Sequence, residues 1–129
     1  MKIKQRELME LKTAGAVQTA TLGLDQSSFT IDEESIRSLS DSLSKAVEQS
    51  LQSVNLGGAM DTSKLEKVMG ELGKKMKNEE HQVAVADLAN NTGTMGDYDK
   101  GAQRYFLNNL KKLAETLKTA SQKIPKKEE

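Results

Sequence analysis

The chain has 129 residues, with 19 basic side chains against 19 acidic, one histidine, no cysteine and no tryptophan. That length is expected to make one domain, and the zero formal net charge argues against a charge-driven disordered chain. The lack of cysteine excludes disulfides, thiolate nucleophiles and cysteine metal sites.

Core-forming residues are scarce. Leu, Ile, Val and Phe supply 27 of the 129 residues, close to the roughly 20% below which chains tend to stay disordered. The expectation is a folded protein with a thin core, helped by self-association or a partner. The only aromatics are Phe29, Tyr98, Tyr105 and Phe106, and strands favour aromatic and β-branched residues, so the balance points to helix. No signal-peptide core follows Met1-Lys2-Ile3-Lys4, and no run approaches the roughly 18 apolar residues of a membrane span. A cytoplasmic location and no membrane contact are expected.

In chain order, Met1 to Leu11 reads as a short amphipathic helix with Leu8 and Leu11 one turn apart. From Thr13 to Phe29 the composition turns to Ala, Gly, Thr, Gln and Ser, and Val17, Leu22 and Leu24 follow no clear period. This stretch is expected to be flexible, or ordered only against a partner. Thr30-Ile31-Asp32-Glu33 then fits a capping box, in which the threonine hydroxyl and the glutamate satisfy reciprocal backbone donors. The helix it opens should reach about Val54, with Ile36, Leu39, Leu43, Val47, Leu51 and Val54 as its apolar stripe. Serines at 35, 38, 40, 42, 44, 50 and 53 flank that stripe, so packing rather than propensity must hold this helix.

Gly57-Gly58 breaks the pattern. Ser63-Lys64-Leu65-Glu66 is a second capping box, opening a helix with Leu65, Val68, Met69, Leu72 and Met76 on one face. His81 to Ala89 fits a helix better than a strand, and Asn90 to Gly96 reads as a loop. The last helix, Tyr98 to Ile124, has Asp97 as its expected N-cap and Pro125 as its stop. Its apolar residues, Phe106, Leu110, Leu113, Leu117, Ala120 and Ile124, recur at four, three, four, three and four. Such a heptad seam needs a helix laid along it. The fold expected is all-α: an up-and-down bundle of three to four helices over residues 30–124, a flexible or partner-ordered segment at 1–29, and a charged tail at 125–129.

Chemistry is hard to find. His81 has no ligand-type residue three or four positions away, so a metal site is not expected and the histidine reads as solvent-facing. Asp97-Tyr98-Asp99-Lys100-Gly101 opens like a calcium loop, but Gly101 and Asn108 stand where acidic ligands are needed. Gly73-Lys74 lacks the earlier glycine and the following Ser or Thr of a phosphate-binding loop. Val68 to Met76 resembles the GXXG loop of KH domains, which would imply a phosphate clamp at Gly70–Gly73. Lys67 to Lys77 is also similar to part of the helical tail domain of bacterial aspartyl/glutamyl-tRNA amidotransferases. Read from the residues alone, Glu71 puts an anion where a phosphate would sit, and an amphipathic helix is the plainer account.

Charge is uneven along the chain. Asp25 to Glu48 is acidic, whereas Lys100 to Lys127 is basic, and Lys64 to Lys77 adds a second basic cluster. Acidic and basic helices can pair, setting orientation more than affinity. The alternative is a nucleic-acid-associated protein in which Lys74, Lys75, Lys77, Lys111, Lys112 and Lys118 track a phosphate backbone. The expected function is a non-enzymatic helical interaction or assembly protein without a cofactor. It would be a small subunit or adaptor, binding a protein partner or itself through Phe106, Leu110, Leu113, Leu117 and Ile124.

Overall fold

An aspartate or asparagine precedes each of the last four helices, and its side chain fixes where that helix begins. The computed structural model describes residues 2–125 and holds five helices. These are α1 (Lys2–Thr21), α2 (Glu33–Asn55), α3 (Thr62–Lys74), α4 (Glu79–Thr94) and α5 (Lys100–Gln122). Single 3-10 turns lie at Gln26–Ser28 and Met95–Asp97. Among the described residues the only sheet-like pairing is one antiparallel bridge, Phe29 with Met76.

The caps differ from the sequence expectation at three helices. Asp32, not Thr30, accepts the Ser35 amide at 2.9 Å and starts α2. Thr30 is committed elsewhere: its N–H donates to the Lys75 carbonyl at 2.8 Å, which keeps the chain extended there. Asp61, two residues before the expected cap Ser63, accepts the Lys64 amide and starts α3. Asp99, not Asp97, accepts the Ala102 amide at 2.7 Å, because Asp97 lies in the 3-10 turn and Tyr98 is extended. Gly57 ends α2 with φ +85, a left-handed turn that glycine makes without steric cost.

Each helix lies against two others, and the neighbours close a ring in the order α1, α4, α3, α2, α5. Cross-helix bonds give the directions. Ser40 donates to the Ala114 carbonyl, and Arg104 to Asn55 Oδ1, so α2 and α5 are antiparallel. Lys64 donates to Gln49 Oε1, and the Asp61 amide to Ser50 Oγ, so α2 and α3 are antiparallel too. The result is an up-and-down bundle with α5 inserted between α1 and α2. The α1–α2 connection therefore crosses the end of α5, where the Gln26 amide donates to the Lys123 carbonyl at 3.1 Å. Phe29 is buried below that connection and closes this end of the core.

The expected flexible segment is instead helix. α1 runs without interruption to Thr21 and buries Met9, Thr13, Val17 and Ala20, with Leu24 buried just beyond. Two of those positions are threonine and alanine, so the inward stripe carries little apolar signal. Five helices, not three or four, share one core, and residues 13–29 belong to it. Residues 126–129 of the expected tail lie outside the described residues.

The remaining expectations divide. Residues 81–89 are helical, as read from context, and bury Ala84, Val85 and Leu88. The expected loop at Asn90–Gly96 is instead the end of α4 followed by a 3-10 turn, with Thr92 buried and donating to the Leu88 carbonyl at 2.8 Å. Gly70 and Gly73 both sit within α3, so no GXXG loop forms.

Candidate interaction surface

The seam of α5 is covered from inside the chain as far as Ala120. Phe106, Leu110, Leu113, Leu117 and Ala120 are fully buried. α2 lies antiparallel along them, presenting Ile36, Leu43 and Val47 to the same core. A fully buried leucine or phenylalanine contributes about 1.5–3 kcal/mol relative to exposure, so these residues stabilise the bundle. They cannot meet a partner while the bundle is intact. The fifth residue of that set, Ile124, lies past the helix end and is 81% exposed.

The six lysines of the nucleic-acid reading are all exposed, three at the end of one helix and three on another that is not its neighbour. Lys74, Lys75 and Lys77 lie at the end of α3, and Lys111, Lys112 and Lys118 on α5. α2 stands between these helices on one side of the ring, and α4 and α1 on the other.

His81 is a correction. It is buried, with Nε2 2.8 Å from the Leu22 carbonyl oxygen, so the ring joins the start of α4 to the end of α1. Its Nδ1 is buried without a partner. A buried ring nitrogen left unsatisfied carries a desolvation cost of about 1–3 kcal/mol. No group of three or more His, Asp or Glu side chains that could hold a metal occurs among the described residues.

Leu56, just past α2, and Ile124, just past α5, are exposed singly; the other exposed large apolar side chains lie on α1 and beside it. Leu8 is 55% exposed, Leu11 71% and Leu22 67%. Across from Leu8, α1 and α4 part to form two adjoining open cavities of about 790 and 850 Å³ that share Lys12 and Asn91. Val83 of α4, 53% exposed, lines the second of them with Gly15 and Thr19. Acidic side chains edge this groove on α4: Glu79, Glu80 and Asp87. At its far end Arg6 pairs with Glu10 at 2.8 Å and Asp99 at 3.3 Å. The hydrogen bond that Arg6 donates to Glu10, with the charge of Asp99, raises the guanidinium pKa above its ordinary value. Arg6 thereby ties α1 to the start of α5.

This surface was half visible in the sequence. Leu8 and Leu11 stood out as the apolar pair of a short amphipathic helix; in the structure they face outward, because Met9, Thr13 and Val17 take the core side. Lys12, Gly15 and Val83 carried no signal of their own. A second stripe on α1, with three- and four-residue spacing beside the buried one, would have revealed it. The chain matches no protein-family model, no curated protein and no solved structure in the comparisons made.

Proposed function

We propose that this protein is a non-enzymatic helical interaction protein, a small subunit or adaptor of a larger assembly, that docks through the outer face of α1 and the groove beside it. One observation carries the reading: Leu8 and Leu11 are exposed on a helix whose opposite side already fills the core, and Leu22 is exposed in the turn directly after it. A bundle helix normally shows one apolar stripe to its neighbours and polar residues to water. Contiguous exposed apolar surface rimmed by polar groups marks interaction sites in soluble proteins.

The reading also replaces the surface expected from the sequence. The α5 seam is consumed in folding, so binding falls to α1. A photo-reactive phenylalanine analogue placed at Leu11, in the cells that make the protein, tests it. Cross-linking to a discrete protein band is expected, with none when the same probe replaces exposed Glu71 on α3. Equal or absent labelling at both positions would overturn the reading.

A further inference from the structure

We propose that the outer stripe of α1 pairs with the same stripe of a second copy of this chain, the two helices lying parallel about a two-fold axis. This rests on the interaction reading above and names the partner. Leu8, Leu11, Gly15 and Gln18 of α1, with Leu22 in the turn that follows, recur at three, four, three and four, a heptad seam that the bundle leaves outside. In heptad terms Leu8, Gly15 and Leu22 take one core position, Leu11 and Gln18 the other.

Two further observations select this occupant. The flanking charges match a parallel self-pair. Glu7 falls at a g position and Lys12 at the following e position, and both are exposed. In a parallel pair those positions face each other across the interface, so symmetry gives two Glu7–Lys12 contacts. An antiparallel pair centred on Gly15 would instead set Lys12 level with Gln18 and Glu7 level with Gly23, with no opposite charges. The second observation is Gly15 itself. A glycine inside a helix costs about 1 kcal/mol relative to alanine, yet a side chain there would meet nothing within 4 Å in this chain. Folding does not demand it. Between two copies it would let the backbones approach at the middle of the seam. Gln18, the one polar core position, can pair its amide with its own copy and so hold the register.

The chain has no cysteine, so single substitutions report the geometry cleanly. Leu22→Cys and Leu8→Cys are each expected to form a disulfide dimer with themselves on mild oxidation, as the parallel two-fold places each beside its own copy. Glu7→Lys is expected to weaken association measured by sedimentation equilibrium roughly tenfold, the scale of two surface ion pairs turned to repulsion. Adding Lys12→Glu should restore it. Cross-linking only in a mixture of Leu8→Cys and Leu22→Cys would overturn the parallel arrangement. A wild-type chain monomeric up to about 1 mM, a concentration that corresponds to only about 4 kcal/mol of binding, would overturn self-pairing. The interaction reading would still stand if the probe at Leu11 captured a different protein.

Discussion

Two helices of this bundle carry stripes of residues at alternating spacings of three and four, anchored by leucines, and the fold treats them oppositely. On α5 the stripe from Phe106 to Leu117 is fully buried, with α2 along it. On α1 the stripe from Leu8 to Leu22 faces out, while a weaker stripe of Met9, Thr13, Val17 and Ala20 faces in. The difference teaches that heptad spacing announces a covered seam without saying which chain covers it. Residue size separates the two cases. α5 places Phe and three Leu on its seam, enough for a core, whereas the outer stripe of α1 has a glycine and a glutamine at its centre.

The sharpest way to break the comparison is to truncate one residue on each seam. Leu110→Ala removes a fully buried side chain and is expected to cost about 2–5 kcal/mol of folding stability in urea denaturation. Leu11→Ala should stay within about 0.5 kcal/mol under the same conditions at low protein concentration. Equal losses would mean that both stripes serve the fold.

A second substitution probes how α1 is held while its outer face stays free. His81→Ala leaves the Leu22 carbonyl without its ring partner and is expected to cost about 1–3 kcal/mol. Faster amide exchange at Leu22 to Leu24, more than in α5, would locate the loss at the end of α1. Ser40→Ala should cost about 1 kcal/mol in thermal unfolding, since it removes the 2.7 Å bond to the Ala114 carbonyl that draws α2 onto α5.

The smallest effect expected is acid dependence at the start of α2. The Ser35 amide holds the Asp32 carboxyl below its ordinary value of 3.8. A group depressed on folding stabilises the native state above its unfolded value, and that contribution fades as pH falls through the folded value. Asp32→Asn keeps a capping oxygen without the titration. Its stability between pH 5 and pH 2 should therefore fall less steeply than that of the wild-type chain, as read by urea midpoints at each pH.

Much of the fold was legible where side chains were large. The α2 stripe at Ile36, Leu43, Val47 and Val54 is buried as the spacing required, and so is the α5 seam through Leu117. Helix ends were read less well, because Asp32 competes with Thr30, Asp61 with Ser63 and Asp99 with Asp97, and at α2 a tertiary bond, Thr30 to Lys75, commits the competitor elsewhere. α1 was misread because its core positions are small or polar while its visible leucines point to water. His81 was misread because the carbonyl it meets, at Leu22, lies 59 residues away in the sequence. The groove between α1 and α4 had no local signature, since it depends on α5 standing between α1 and α2 and leaving α1 beside α4.

The most direct test is sedimentation equilibrium of the wild-type chain and of Leu11→Asp over the same concentration range, with circular dichroism on each sample. A seam that serves binding alone predicts a wild-type mass rising from one chain toward two, and a Leu11→Asp chain that stays monomeric with full helix content. A monomeric wild-type chain, a variant that associates equally well, or a variant that loses its helices would contradict it.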